Sequence, residues 1–284
     1  MARDQGQQLL AQVRRLGVPR RPLGDLYHFL LTISWPALLA LLVGLYLAVN
    51  AVFAGLYLID PAGVLNLHGG NFLDAFFFSV QTMATIGYGR MVPLSVYDNA
   101  LVTTEALVGL LSMAMATGLM FAKFSRPTAR VLFSRQVAVH PREGVRSVVV
   151  RMANERANMV VEATLRLTLL RDEITLEGEP IRKLYDLKLA RGNTAAFALT
   201  WTAYHPITPD SPIYGATAES LKAVNAQLVA SLVGIDETFS QTVHARHSWT
   251  ADEIAWDVKF VDILTRTPEG MVIDYRRFHE TKPA

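Results

Sequence analysis

No cysteine occurs among the 284 residues, which excludes disulfide frameworks, thiol nucleophiles, cysteine-ligated zinc and iron–sulfur clusters together. Charge is also scarce. Asp, Glu, Lys and Arg make up 18% of the chain and apolar types 51%, against about 25% charged in an ordinary soluble domain. That balance excludes a disordered tail and is too apolar for an ordinary soluble protein. The net charge is only +2, and nucleic acid is not expected as a partner. The charge is unevenly spread, with 10 basic and 6 acidic residues through Arg135 and 17 and 19 from Gln136 onward. No Asp, Glu, Lys or Arg lies between Leu26 and Ile59, nor between Ala106 and Ala122.

These charge-free stretches have the length a bilayer demands. Trp35 to Ile59 is 25 residues, roughly 37 Å of helix against a hydrocarbon core of about 30 Å. About 30 residues precede it and no small-residue cleavage site follows, which argues against a signal peptide. Tyr97 to Phe124, interrupted by Glu105, makes a second span. Between them Phe72 to Thr82 is apolar but only about a dozen residues long, enough for a helix and too short to cross. It predicts a re-entrant half-helix. Non-helical backbone at that depth is tolerated only where it lines a cavity, so the residues after Thr82 should line one.

Basic residues set the orientation. Arg3, Arg14, Arg15, Arg20 and Arg21 precede the first span, and Lys123, Arg126, Arg130 and Arg135 follow the second. Only Arg90 lies in the intervening loop, so both termini are expected in the cytoplasm. Pro22 to Thr32 puts Leu23, Leu26, Tyr27, Leu30 and Leu31 on one face, as an amphipathic helix on the inner membrane surface does. Lys123, Arg126 and Arg130 are candidates to hold anionic lipid headgroups, either phospholipid or phosphoinositide.

From Gln136 the period changes. Ser147–Met152 and Val161–Arg171 alternate or run β-branched, with turn signals at Glu177–Pro180 and Arg191–Asn193. Further strands are expected at Ala195–Thr202, Gln227–Gly234, Phe239–Ala245 and Trp256–Leu264, with a short helix at Ala218–Val224. The expectation is an antiparallel, immunoglobulin-like β-sandwich of about 140 residues in the cytoplasm. The fold class is therefore membrane α plus all-β. Residues 1–33 would form the cytoplasmic N-terminus and interfacial helix, 34–135 the two-helix pore domain, and 136–284 the sandwich.

The chemistry sits at Thr82-Met-Ala-Thr-Ile-Gly-Tyr-Gly89. A cation crossing a membrane must shed water, and carbonyl oxygens are hard ligands able to replace it. Aiming successive carbonyls at one axis requires backbone conformations that L-residues adopt poorly, which accounts for Gly87 and Gly89. Thr85, Ile86, Gly87, Tyr88 and Gly89 thus form a candidate cation filter, four copies being needed to close the ring. The TVGYG loop of potassium channels is the standard example of such a filter, with Ile86 here in place of Val, and the likeness implies a K⁺ filter with K⁺ as the permeant ion.

Asp74–Gly89, Phe121–Pro127, His205–Tyr214 and His244–His247 resemble the prokaryotic inward-rectifier potassium channels, the KirBac family, and the resemblance covers roughly residues 20 to 280. It implies a homotetramer with one central pore in a bacterial inner membrane, an interfacial slide helix and a cytoplasmic vestibule. It also groups the chain broadly with voltage-gated channels. By the family pattern the lower gate falls at Phe121, the rectification-controlling position at Met113, the hinges at Gly109 and Gly118, and a cytoplasmic constriction within Glu237–Ala245. Two residues depart from the wider pattern: Gln81 stands where eukaryotic relatives have a filter-bracing glutamate, and Met113 where strong rectifiers have an acid. Rectification should therefore be weak.

Glu105, ionisable at membrane depth, is read as a functional group or as a brace on the pore helix. His244 and His247 lack an acidic partner at ligand spacing and read as hydrogen-bonded sandwich residues. No nucleophile–base pair or paired carboxylates stand out, so an enzyme is not expected. A non-selective cation channel and a membrane-anchored binding module are the alternative functions.

Overall fold

Ile33 and Ser34 separate the first two helices. Helix α1 spans Leu26–Thr32 and stops at Ile33, where the backbone turns extended. Ser34 then caps helix α2, Trp35–Tyr57, by accepting from the Ala37 amide, and Pro36 sits in the first turn, where its missing N–H costs nothing. Helix α3, Phe72–Met83, begins at Asn71, whose side chain accepts from the Leu73 amide at 3.1 Å, and Asp74 lies in its first turn. Helix α4, Val96–Phe124, is capped in the same way by Ser95. Phe53, Ala54 and Tyr57 of α2 pack with Ala75, Phe78 and Met83 of α3. A short pairing of Val64–Leu65 with Val92–Pro93 ties the two ends of the re-entrant segment together, and the Asn66 amide donates to the Arg90 carbonyl at 2.7 Å.

This computed structural model describes residues 25–67, 70–125, 129–156, 158–268 and 270–284. The described residues form two compact units, one ending at Ser125 and one beginning at Ala129. Pro22–Gly24 of the expected interfacial helix, the five N-terminal arginines and Arg126 lie outside the described residues.

The second unit is a sandwich of two five-stranded sheets. In one, Gln241–Thr250, Gln227–Asp236, Val160–Ile174 and Pro180–Leu187 lie side by side, and Asn193–Phe197 also pairs with Val160–Ile174. In the other, Ile254–Trp256, Val137–Arg142, Val145–Asn154 and Val131–Phe133 are neighbours, and Thr200–Pro206 pairs with Val145–Asn154. Alternation along Val160–Ile174 sends Leu165, Leu167 and Leu169 into the core and Arg166 and Thr168 outward. From Ser147 to Asn154 every residue is buried, because both faces of that strand are covered. One face joins the core between the sheets. The other lies under the C-terminal segment, where the Arg151 guanidinium stacks on Phe260 at 4.6 Å.

The expected sandwich is present, with four corrections. Ala195–Thr202 is two strands, broken at Ala198 and Leu199, which pair with different sheets. Trp256–Leu264 is likewise split among Ile254–Trp256, Val258–Phe260 and Leu264–Thr267. One pair is parallel, Ile254–Trp256 against Val137–Val139, so the sandwich is not wholly antiparallel. Finally, Val131–Phe133 already belongs to the sheet, ahead of Gln136.

Buried His205 fixes one edge of this unit. Its Nδ1 donates to the Lys188 carbonyl at 2.7 Å, so its Nε2 accepts from the Ser211 hydroxyl at 2.8 Å. Burial holds its protonation below the ordinary histidine range, and burial together with Arg135 does the same for His279. The unfolded chain therefore binds protons that the fold refuses. The stability contributed by the neutral rings is complete above about pH 6.5 and is lost as pH falls below it. Unfolding followed by tryptophan fluorescence should show a midpoint that drops on acidification from pH 7.5 to 5.5. His205→Gln should flatten that slope, and His205→Ala should cost about 1–3 kcal/mol at neutral pH.

Candidate ion-conduction site

Helix α3 ends at Met83, and the chain then follows a left-handed alternation. Thr85, Gly87 and Gly89 have φ of 57°, 55° and 78°, whereas Ile86 and Tyr88 between them are not in the positive-φ region. Every second peptide is thereby turned over. The Thr85 amide donates to the Thr82 carbonyl at 3.0 Å, and the amides of Ile86 and Gly87 both donate to the Gln81 carbonyl, at 2.8 and 3.3 Å. Among the described residues, no hydrogen bond ends on the carbonyls of residues 85–88. Donors are used against the helix while acceptors stay free, as a row of cation ligands requires. A Cβ on Gly87 or Gly89 would meet nothing within 4 Å, so conformation rather than space calls for glycine there. Thr85 bears the same conformation with a β-branched side chain, a feature the motif alone did not reveal. Gln81 contributes its backbone carbonyl to this arrangement.

Behind this segment lies a buried polar network that sequence reading reached only through Glu105. Glu105 of α4 is fully buried and accepts at Oε2 from the Tyr57 hydroxyl of α2 at 2.6 Å, and its Oε1 is hydrogen-bonded to Ser79 of α3. Ser79 Oγ also lies 3.0 Å from Asn50 Oδ1, and the Asn50 amide reaches the Tyr46 carbonyl at 2.8 Å and Met83 Sδ at 3.4 Å. Three helices meet in this network. The signal that could have found it is Asn50 itself, a carboxamide in the middle of an otherwise apolar span.

Further along α4, Met113 and Phe121 are both 72% exposed on the single chain. They are eight residues apart, which is about 12 Å along the axis and about 80° around it. The two glycines differ in kind. Gly118 has open space about its Cα, whereas a Cβ on Gly109 would stand 2.6 Å from the Met83 carbonyl oxygen. Gly109 is thus a contact glycine that lets α4 touch the end of α3. Lys123 is engaged with protein: its Nζ donates to the Leu31 and Ile33 carbonyls at 3.0 and 2.5 Å and lies over the Trp35 ring. It joins the end of α1 to the end of α4. Arg130 is exposed, and Glu237 to Thr242 form an exposed hairpin tip that includes Phe239. His244 is exposed on that strand, while His247 stacks on Phe133. Among the described residues, no cluster of three or more His, Asp or Glu could hold a metal.

The pattern described as the inward rectifier potassium channel C-terminal domain matches residues 131–284, and that of an ion channel domain matches residues 41–126. The inward rectifier potassium channel Kirbac3.1 of Paramagnetospirillum magnetotacticum is 46% identical, over 95% of this chain and 92% of that protein. The ATP-sensitive inward rectifier potassium channel 12 of Gallus gallus is 32% identical over 93% of this chain and 67% of its own length. The inward rectifier potassium channel 4 of Homo sapiens is 34% identical over 76% and 50%.

The two glycines of α4 should respond differently to one added methyl group. Gly109→Ala drives a Cβ against backbone and is expected to lower the unfolding midpoint of the detergent-solubilised protein, at a cost of about 1–3 kcal/mol. Gly118→Ala is expected to be neutral or to stabilise by up to about 1 kcal/mol, through helix propensity. Equal effects of the two substitutions would contradict the contact assigned to Gly109.

Proposed function

The chain belongs to the inward rectifier potassium channel family, and from that premise we propose that it forms a K⁺-selective homotetrameric pore in a bacterial inner membrane, both termini cytoplasmic. The observation that carries this reading is the alternation at Thr85, Gly87 and Gly89, with amides tied to the pore helix and carbonyls left free. Four such segments about one axis would stack rings of carbonyl oxygens that replace the hydration shell of K⁺. The exposed apolar surfaces of α2 and α4, among them Leu41, Leu45, Leu107 and Leu111, are what lipid and neighbouring subunits would cover. Residues 1–33 would then serve as interfacial segment, the unit ending at Ser125 as pore and the unit beginning at Ala129 as vestibule, with Glu237–Ala245 as a second constriction.

Within this reading Phe121 forms the lower gate. Four aromatic rings converging there leave an apolar constriction that dewets, a sufficient barrier to a hydrated ion. Met113 faces the cavity without charge and offers no well for polyamine or Mg²⁺, so rectification is weak. Opening requires α4 to bend or splay. Gly118, free of contacts, is the better weak point, and Gly109 would move only with the pore helix. Arg126 and Arg130 are the basic groups for anionic phospholipid or phosphoinositide, and Lys123 joins them only by leaving the carbonyls it now holds. The family's relatives are channels, and no enzymatic activity is assigned. Neither span carries a ladder of Arg or Lys to serve as gating charge, so any voltage dependence would come from block.

Purified protein in liposomes should pass K⁺ and Rb⁺, exclude Na⁺, and be blocked by Ba²⁺. Equal Na⁺ and K⁺ flux would make it a non-selective cation channel, and no flux at all would leave a membrane-anchored binding module. Phe121→Ala should raise resting K⁺ flux severalfold at unchanged K⁺ over Na⁺ preference, whereas Phe121→Trp should not. If both variants match wild type, Phe121 is not the limiting barrier.

A further inference from the structure

Ser79 has one hydroxyl proton and two oxygen neighbours that both ask for it. Its Oγ is at hydrogen-bonding distance from Asn50 Oδ1, 3.0 Å away, and from Glu105 Oε1. Rotating the Asn50 carboxamide gives no relief, because the Asn50 nitrogen lies 2.8 Å from the Tyr46 carbonyl and a rotated oxygen would face that carbonyl directly. Were Glu105 ionised, one of the two Ser79 contacts would set lone pair against lone pair in a fully buried site. The second carboxylate oxygen is already occupied by the Tyr57 hydroxyl at 2.6 Å. Among the described residues no cation is bonded to Glu105: the ammonium of Lys123 is held by Leu31 and Ile33, and the groups hydrogen-bonded to Glu105 are Tyr57 from α2 and Ser79 from α3.

We propose that the Glu105 carboxyl carries a proton, which it donates to Ser79, and that Glu105 is thereby the positioning residue of the filter, a role resting on the channel reading above. With that proton every donor has one acceptor. Tyr57 donates to Glu105 Oε2, Glu105 Oε1 donates to Ser79, Ser79 donates to Asn50 Oδ1, and the Asn50 amide donates to the Tyr46 carbonyl and reaches Met83 Sδ. The relay runs from the inner helix through the pore helix to the outer helix and ends on Met83, two residues before Thr85. Through Met83 it reaches the end of the helix whose Gln81 and Thr82 carbonyls accept from the amides of Thr85, Ile86 and Gly87. Gln81 supplies its backbone carbonyl to the amides of Ile86 and Gly87, and the acid comes from another helix. A neutral carboxyl also suits its depth, since an unpaired ion there would be paid for in desolvation.

A carboxamide keeps a donor toward Ser79 and an acceptor toward Tyr57, as a protonated carboxyl does, and adds one further N–H, whereas a methyl group keeps neither. In reconstituted vesicles Glu105→Gln should keep the K⁺ over Na⁺ preference within about twofold of wild type, and Glu105→Ala should lose at least tenfold of it. Infrared spectra of the wild-type protein should show a protonated-carboxyl C=O band that shifts in D₂O and is missing from Glu105→Gln. That measurement needs no flux and holds if Glu105→Ala fails to assemble. A wild-type protein that carries the band but does not discriminate K⁺ from Na⁺ would refute the channel reading and keep the proton assignment. Absence of a Glu105-dependent band, or loss of preference in Glu105→Gln equal to that in Glu105→Ala, would overturn the proposal.

Discussion

A cation that leaves water for the interior of a membrane protein needs oxygen ligands at every step, and the only ligands a short backbone segment can supply in a row are its own carbonyls. A β-strand points them alternately to opposite sides and a helix points them along its axis. Turning over every second peptide brings them to one side, and it places every second residue at positive φ, as found at Thr85, Gly87 and Gly89. For an L-residue that conformation costs roughly 1–2 kcal/mol. Two glycines remove most of the cost, and Thr85 retains it, held by the hydrogen bond its amide donates to the Thr82 carbonyl. A segment in this conformation cannot hold itself. The helix before it supplies the acceptors, and α2 and α4 in turn fix that helix through Tyr57, Glu105, Ser79 and Asn50 and through the close contact at Gly109.

The same chain builds its second unit by a different rule. There the hydrophobic core between two sheets carries the fold, and the strand Val145–Asn154 is covered twice, once by the facing sheet and once by the C-terminal segment. The buried Arg151 guanidinium lies over the rings of Phe260, at 4.6 Å, and Phe278, at 6.0 Å. Gly234, opposite Val160 and Ala163, marks the bulge at which the long strand pair shifts register. These features hold the second unit around its own core, whereas α1 is tied to the end of α4 by Lys123, which grips two backbone carbonyls.

Much of this was legible in the sequence, for physical reasons. The bilayer's demand for apolar side chains wrote both spans as long apolar stretches, the second broken at Glu105, and α2 and α4 begin within a residue of where those stretches do. The shortness of Phe72–Thr82 identified a helix that cannot cross, and the glycines after it identified the unusual backbone. Strands that alternate, such as Gln227–Asp236, were visible. Pro180–Leu187, an exposed edge strand, was not, and neither were the short strands Val131–Phe133 and Gly270–Ile273, whose existence depends on partners elsewhere. Pairings over long separations left no local trace: Tyr57 and Glu105 are 48 residues apart, and Lys123 and Leu31 are 92 apart. Gly109, a hinge by the family pattern, also lies against the Met83 carbonyl, a contact between residues 26 apart that no local pattern marks.

The central claim is that conformation, not size, makes Gly87 necessary. Semisynthesis can separate the two, because a D-residue favours positive φ while adding the same methyl group as its L-counterpart. The account predicts that the Gly87→D-Ala channel keeps the wild-type preference for K⁺ over Na⁺ in vesicle flux, and that Gly87→Ala loses it. If the L-alanine variant selects K⁺ as well as wild type, or if the D-alanine variant loses selectivity equally, the alternating backbone is not what sets the ligands in place.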